Sequence, residues 1–200
     1  MPIVGTVTFI DASTGWATGG ESHWTTDRLL RTRDGGASWE PVSLPLPEGY
    51  DEPGYFAFNE PVFLSHEVGV IPVQFNAVDV GAFAVGFYIT QDGGLTWTPA
   101  ATLEEPKLQD ISLPWSAIDE TTWYVAASRD HQYFTRDGGR TWETFPAVGL
   151  GDVVLWDVQF VSEVEGWALG QTCNPEGECS EPMFVTHDGG RTWTSIAPGP

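Results

Sequence analysis

A segment of eight residues occurs four times in this 200-residue chain, and no other feature limits the fold as strongly. It has the form Thr-x-Asp-Gly-Gly-x-Ser/Thr-Trp, and we call it the box. Successive boxes lie 58, 45 and 51 residues apart, counted between their aspartates: Asp34, Asp92, Asp137 and Asp188. Internal repeats with a period of about 20–50 residues are typical of solenoids, propellers and arrays. The fold must therefore contain four similar structural units.

Each box lies between two short runs of β-forming residues, for example residues 28–31 and 39–42 around the first. Asp-Gly-Gly between such runs predicts a hairpin turn, because glycine takes positive φ at no steric cost and the carboxylate accepts N–H groups. We expect the Ser/Thr hydroxyl to tie this turn and the Trp to cover it, so the box aspartates are structural. The residues of this prediction are Asp34, Gly36 and Trp39; Asp92, Gly94 and Trp97; Asp137, Gly139 and Trp142; and Asp188, Gly190 and Trp193.

A second repeated element precedes each box. Residues 9–19, which include Phe9, Gly15 and Trp16, match residues 160–170 without a gap. Residues 63–70 keep the same spacing, and residues 117–127 are a weaker copy. This element predicts a strand, a tight turn and a second strand. With the two strands around the box, each unit has four strands, at about residues 1–46, 55–103, 108–147 and 152–197.

Tandem four-stranded units of this length are typical of β-propeller blades. The box resembles the Asp-box, or bacterial neuraminidase repeat, and this resemblance covers nearly the whole chain. The element before the box is also similar to propellers related to the photosystem II assembly factor, and the whole pattern to sortilin- and xyloglucanase-type propellers. The predicted fold class is all-β, with four four-stranded antiparallel blades in one domain, residues 1–200. The Asp-box is shared by proteins of several functions, so it indicates the fold far more than the function.

The sequence does not determine whether the four blades form a closed ring, because Asp-box propellers usually have six or more blades. Four blades can form a small ring, part of a larger propeller, or an arc completed by a second chain. Unpaired edges of an open arc associate readily. We therefore favour an arc over a closed ring and expect a homo-oligomer if the arc is open.

The charge excludes several classes of partner. Acidic residues number 28 against 8 basic ones, for a net charge of −20. Such a chain repels phosphate backbones and anionic lipid, so we expect no nucleic acid partner and no membrane insertion. No run reaches the ~18 apolar residues of a membrane helix. The first four residues lack a signal-peptide pattern, which fits a mature chain, an excised domain or a cytosolic protein.

Two cysteines, Cys173 and Cys179, flank a short loop containing Pro and Gly. They predict a local disulfide worth about 2 kcal/mol, and hence export to the periplasm, the cell surface or the medium. Two free thiols in a reducing compartment are the alternative. The four histidines have no metal-ligand spacing to this pair, so we predict no metal and no cofactor.

A ligand face opposite the boxes is what the resemblance to propellers implies. On it we expect Trp24, Tyr50, Tyr55, Asp110 and Asp152 to contact the ligand. Aromatic rings beside carboxylates suit a neutral glycan and equally a basic protein. A solvated acidic rim with no partner is the third alternative. The other nine tryptophans are interpreted as packing between sheets.

Catalysis has weaker support in the sequence than binding. Sialidases hold a carboxylate with three arginines, whereas only Arg28 and Arg129 lie away from the boxes here, so a sialidase is excluded. A glycoside hydrolase needs two carboxylates about 5–10 Å apart, and Asp110 and Asp152, just before the first strands of blades three and four, are the candidates. The predicted function is a non-catalytic binding or assembly module that recognises a protein or a glycan. The alternative is a hydrolase or carbohydrate-binding propeller that acts on neutral polysaccharide.

Overall fold

Strands and turns make up the described part of the chain. The structure, a computed structural model, describes residues 3–20, 28–47, 53–77, 83–104, 113–128 and 130–196. These ranges hold no helix, and so none that could cross a membrane. The strands form four antiparallel sheets, each of which runs in sequence order. The all-β class and the four four-stranded blades are therefore confirmed.

The strands of the four blades have the following bounds. Blade 1 contains β1 (Ile3–Phe9), β2 (Gly15–Gly20), β3 (Arg28–Thr32) and β4 (Glu40–Val42). Blade 2 contains β5 (Pro53–Phe58), β6 (Val62–Phe63), β7 (Gly69–Ala77), β8 (Phe83–Thr90) and β9 (Thr98–Glu104). Blade 3 contains β10 (Trp115–Ala117), β11 (Trp123–Ser128), β12 (His131–Thr135) and β13 (Glu143–Phe145). Blade 4 contains β14 (Val154–Phe160), β15 (Gly166–Cys173), β16 (Cys179–Ser180), β17 (Met183–Thr186) and β18 (Thr194–Ile196).

Blades 2 and 4 each carry one additional short strand. β6 continues the first strand of blade 2 beyond a break, and β16 pairs with the far end of β15. The chain divides into two compact units, Met1–Glu105 and Pro106–Pro200, each of which contains two blades. The single domain spanning residues 1–200 stays a prediction.

Every box is held by one threonine and one aspartate. In blade 3 the Thr135 hydroxyl donates to Asp137 Oδ1 over 2.8 Å and accepts the N–H of Gly139 over 2.9 Å. The Asp137 carboxylate also accepts the amide of Thr141 (2.9 Å) and its hydroxyl (2.6 Å). Blades 1, 2 and 4 repeat these contacts. In all four blades the box aspartate and the Ser/Thr hydroxyl thus make hydrogen bonds within their own turn.

The two box glycines have positive φ in all four blades, as predicted; in blade 3 the φ of Gly138 is 70° and that of Gly139 is 81°. Side chains rarely adopt this conformation, which glycine takes freely. The N–H of Gly138 donates to the carbonyl of Thr121 in the turn between β10 and β11, over 2.8 Å. The other three boxes make the same bond. The turn between the first two strands and the box turn thus lie at one end of each blade.

The turn between the first two strands has a hydrogen-bond acceptor of its own. In blade 3 the Asp119 carboxylate accepts the amides of Thr121 and Thr122, each over 2.8 Å. The equivalent residues in the other blades are Asp11, Ser65 and Ser162. Both turns are therefore closed by short polar side chains within the blade itself.

Neighbouring blades within a unit join through one aromatic side chain. In the first unit Trp16 of β2 is fully buried and its ring centroid lies 4.4 Å from that of Phe63. Trp16 also covers Gly94, the second glycine of blade 2's box. A Cβ at Gly94 would lie 2.3 Å from Trp16 Cζ2. The second box glycine therefore makes room for the neighbouring blade in addition to closing its own turn.

The second unit repeats this junction with a tyrosine. Tyr124 of β11 is fully buried and its ring centroid lies 4.4 Å from that of Phe160. A Cβ at Gly190 would lie 2.6 Å from the Tyr124 hydroxyl. Burial raises the pKa of this hydroxyl far above its usual range.

The tryptophans assigned to packing are buried or half-buried with one exception. Of the nine assigned to packing, eight are buried or half-buried: Trp16, Trp39, Trp97, Trp115, Trp123, Trp142, Trp167 and Trp193. Trp156 is 41% exposed, so the prediction was wrong at this residue. The cause is a β-bulge in β14 between Leu155 and Asp157.

Gly94→Ala tests the second role of the box glycine, with Gly138→Ala as the matched control. The φ angles of Gly94 and Gly138 are 74° and 70°, but a Cβ at Gly138 would have no neighbour within 4 Å. Both variants should lose about 1–2 kcal/mol of unfolding free energy to the backbone strain. Gly94→Ala should lose a further ~1–3 kcal/mol from overpacking against Trp16. Urea unfolding measures both, and equal losses would contradict the role of Gly94 in the junction.

Acid should unfold the protein through its boxes. The hydroxyl and amide of Thr141 lower the pKa of Asp137 to about 2 from the ordinary 3.8, and those of Ser38 do the same for Asp34. Because the folded pKa is depressed, this stabilisation is present above about pH 4 and is lost as the pH falls towards 2. Asp137→Asn should flatten the dependence of the urea midpoint on pH in this window. Asp157→Asn, which removes a charge but no box hydrogen bond, is the control, and an equal flattening there would contradict the assignment.

Candidate functional site

Of the five residues predicted to contact a ligand, the described part of the chain includes the side chain of Asp152. Trp24, Tyr50 and Asp110 lie outside the described residues. Tyr55 is in β5, and its side chain is also outside the description. Asp152 is exposed in the segment that leads into β14. The predicted ligand contacts of these five residues therefore stay a prediction, and the structure gives a position for the side chain of Asp152.

The segment that carries Asp152 is firmly anchored in blade 4. Val148 donates its N–H to the carbonyl of Arg191 and accepts the N–H of Trp193, each over 2.8 Å. The next residue, Gly149, has a φ of 97°, and a Cβ there would lie 2.1 Å from the Trp193 carbonyl oxygen. These contacts hold the chain against the box of blade 4. Asp152 is therefore presented on a fixed backbone.

Trp156 is exposed because β14 contains a β-bulge. The pairing of β14 with β15 shifts register between Leu155, which lies opposite Gly170, and Asp157, which lies opposite Leu169. Trp156 is the additional residue. Leu155 stays in the core, while Trp156 and Asp157 are exposed. Since a bulge on an edge strand re-aims a side chain, β14 displays an indole ring where regular alternation would bury it.

A disulfide-closed hairpin projects from the same end of blade 4. β15 continues beyond the sheet and pairs with β16, and Cys173 and Cys179 are bonded, which confirms the predicted disulfide. At its tip Asn174 Oδ1 accepts the amide of Glu178 over 2.8 Å, and Gly177 has a φ of 85°. The hairpin is exposed and tied at its base and its tip. We call Asp152, Trp156, Asp157 and this hairpin the blade 4 surface.

Asp152 and the hairpin lie at the end of blade 4 opposite the box, whereas Trp156 and Asp157 lie midway along the blade. β15 begins at Gly166, beside the box turn, and runs away from it to Cys173. Val154, at the start of β14, pairs with Gln171, near the other end of β15. The blade 4 surface therefore extends from the middle of β14 to the end of the blade where the sequence predicts ligand binding. It offers one flat aromatic ring and carboxylates that accept hydrogen bonds.

The sequence analysis assigned Trp156 to the core because buried and exposed residues alternate regularly in the part of β14 that follows it. Val158 and Phe160 face the core, whereas Asp157 and Gln159 face outwards, and extending this period backwards buries Trp156. The available signal is the run of four apolar residues, 153–156, in which the alternation disappears. Such a run within an edge strand is compatible with a change of register.

The arginines near the boxes pair with carboxylates. Arg136 lies 2.7 Å from Glu163 and 3.6 Å from Glu143, and the Glu163 carboxylate raises its pKa. Arg191 pairs with Glu143 and lies over the ring of Phe145. These cations stabilise contacts between blades 3 and 4. They serve the box end of the unit and not a ligand at the opposite end.

A concave region lies in the first unit, with a volume of about 410 Å³. Its lining comes from β1, from the break before β6 and from the turn after it: residues 8–10, 60–63, 65 and 66. The Thr8 hydroxyl donates to the Glu60 carboxylate, and His66 Nε2 lies 2.9 Å from Asp11 Oδ2. Its polar groups thus satisfy one another. Within the described ranges, no group of three or more His, Cys, Asp or Glu side chains is placed to hold a metal ion.

Comparison with known proteins gives two xyloglucanases as relatives in sequence. The chain is 27% identical over 176 residues to an oligoxyloglucan-reducing end-specific xyloglucanase of Emericella nidulans, covering 84% of this chain and 20% of that one. It is 28% identical over 130 residues to a probable enzyme of the same name from Neosartorya fischeri, covering 63% and 15%. The chain thus spans a fifth or less of these relatives' length.

Among solved structures, the GH93 α-L-arabinofuranosidase of Fusarium graminearum in complex with arabinobiose is similar in fold. Its TM-score is 0.57 at 13% identity, and the match covers 95% of this chain and 65% of that one. A family model described as Sortilin-Vps10 (sortilin, neurotensin receptor 3) matches residues 86–199, which is more than half of the chain. This match contains three of the four boxes, and it confirms the predicted Asp-box resemblance. The protein belongs to the Sortilin-Vps10 family of β-propellers.

Proposed function

We propose that the protein is a non-catalytic binding module that binds a neutral glycan through the face opposite its boxes. The observation that carries this proposal is Trp156, a tryptophan that a bulge displays on an edge strand. A sugar ring presents an apolar face that packs on an indole, and its hydroxyls donate to carboxylates. Asp152 and Asp157, both exposed on the same stretch of chain, supply such acceptors.

The charge of the chain narrows the ligand class. A net charge of −20 repels anionic sugars, phosphates and nucleic acids, and leaves neutral glycans and basic proteins. The likeness to two xyloglucanases, both named for oligoxyloglucan, favours the neutral glycan. A basic protein would bind through the carboxylates, and the experiment below distinguishes it.

The disulfide supports export of this module. Cys173 and Cys179 are exposed to solvent and form a disulfide bond. Disulfide bonds persist in oxidising compartments. Polysaccharides of walls and matrices lie in the same compartments. We therefore infer that the protein meets its ligand outside the cytosol.

Trp156→Ala tests the proposal by isothermal titration calorimetry with oligoxyloglucan. Loss of the stacking surface should weaken binding about tenfold, which corresponds to about 1.4 kcal/mol. Trp156→Phe should retain part of the affinity, because an aromatic face remains. Val161→Ala, an exposed apolar residue in the turn at the box end, is the control and should bind as the wild type does.

Two results would overturn the glycan assignment. Binding of polylysine without binding of any neutral oligosaccharide would identify a basic protein as the partner. Equal glycan affinity in the wild type and in Trp156→Ala would remove the blade 4 surface from the site.

The second candidate function is a glycoside hydrolase, which the xyloglucanase likeness over 84% of the chain favours. It requires two carboxylates about 5–10 Å apart, and Asp152 is the described candidate. We expect no release of reducing sugar from oligoxyloglucan by the wild type. Release that disappears in Asp152→Asn but persists in Asp157→Asn would replace the binding proposal with catalysis at Asp152.

A further inference from the structure

Each junction between blades within a unit has two distinct halves. The donor half is the face of one blade that carries the aromatic residue of its second strand. The acceptor half is the face of the next blade, formed by the Phe that ends the first strand, the second box glycine and the box Trp. In the first unit Trp16 is the donor, and Phe63, Gly94 and Trp97 form the acceptor.

The second unit shows the same two halves. Tyr124 is the donor, and Phe160, Gly190 and Trp193 form the acceptor. In both acceptors the Phe and Trp ring centroids lie 6.0 Å apart, with the rings edge to face. An aromatic donor seated over a bare glycine is therefore the rule for the two described junctions.

Blade 1 has an acceptor half that is formed and open. Its Phe9 and Trp39 ring centroids lie 6.1 Å apart, also edge to face. Phe9 is 44% exposed, whereas the equivalent Phe160 is 4% exposed. The three described atoms nearest to a Cβ at Gly36 belong to these two rings of its own blade, and none lies closer than 3.7 Å. Among the described residues, no side chain of another blade thus lies as close to Gly36 as Trp16 lies to Gly94.

Blade 4 has a donor half that is formed and uncovered. Trp167 takes the place of Trp16 and is half-buried where Trp16 is fully buried. Leu169 lies opposite Met183 in the register that Thr18 and Leu29 keep in blade 1. Met183 is 40% exposed, whereas Leu29 is 2% exposed under blade 2. This face of blade 4 also carries Asp157 of the blade 4 surface, which pairs with Leu169. Its apolar side chains are those of a junction without the burial.

We propose that a second copy of this chain fills these halves. Trp167 of one copy seats over Gly36 of the other, between Phe9 and Trp39, as Trp16 seats over Gly94. The occupant is inferred from the two filled junctions, which accept an aromatic side chain from the second strand of a blade. Because donor and acceptor are different surfaces, the contact is heterologous, head to tail.

Salt should strengthen this association. Each copy carries a net charge of −20, so two copies repel one another, and the rings that seat in the contact, Trp167 against Phe9 and Trp39, are apolar. Raising the ionic strength from about 0.01 to 0.15 M shortens the Debye length from about 30 to 8 Å and screens the repulsion. An association held by ion pairs would weaken over the same range.

Two lysine substitutions divide the contact into its halves. Leu169→Lys places a charge on the donor half of blade 4, and Val7→Lys places one on the acceptor half of blade 1, where Val7 shares the exposed face with Phe9. Val161→Lys makes the same change of charge at an exposed turn residue outside both halves. Sedimentation velocity from about 1 to 300 μM measures association, and circular dichroism checks the fold. Met183→Lys replaces Leu169→Lys if that variant unfolds.

The wild type and Val161→Lys should associate, and each of the other variants alone should sediment as a monomer. An equimolar mixture of Leu169→Lys and Val7→Lys should associate again, because the donor of the second variant meets the acceptor of the first. A monomeric wild type at every concentration and salt would overturn the proposal. So would equal association of all variants, or a mixture that stays monomeric.

Discussion

The hydrogen-bond network of the box is the interaction on which the rest of the structure depends. A buried threonine at the end of the third strand accepts the N–H of the second box glycine and donates to the aspartate two residues on. That aspartate holds the start of the fourth strand. The network fixes both glycines at positive φ, and this conformation presents the bare glycine surface against which the next blade packs. Turn geometry and packing between blades therefore have the same origin.

The hydrogen-bond network of the box was predictable from the sequence because its residues are close together in the chain. Thr135, Asp137 and Thr141 lie within seven consecutive residues, so the repeat pattern contains their whole network. The packing of Gly94 was not predictable, since its neighbour Trp16 lies 78 residues away in another blade. Trp156 was assigned wrongly because a bulge reverses the alternation that sequence reasoning extends along a strand. Long-range contacts and register shifts are thus what the repeat leaves out.

The candidate site also combines features that the repeat predicts with features that it does not. Turns at the box end are nearly identical in the four blades, and short polar side chains close each of them. At the opposite end the blades differ: blade 4 has a bulge and a disulfide-closed hairpin that the repeat does not contain. Function in a repeat fold is added where the repeats diverge. Asp152 is proposed from its position before a first strand, and Trp156 from the departure of its strand from the shared pattern.

The fourth strands of blades 1, 3 and 4 are only three residues long: β4, β13 and β18. Strands this short contribute few ladder bonds, and most of their residues are exposed, so hydrogen exchange from them would ordinarily be fast. The amide just before each strand is different, because a box carboxylate accepts it at Ser38, Thr141 and Thr192. Protection from hydrogen exchange should therefore be highest at the box turn and decrease along the fourth strand. Each of these blades should then open from its outer strand inwards while the box turn stays closed.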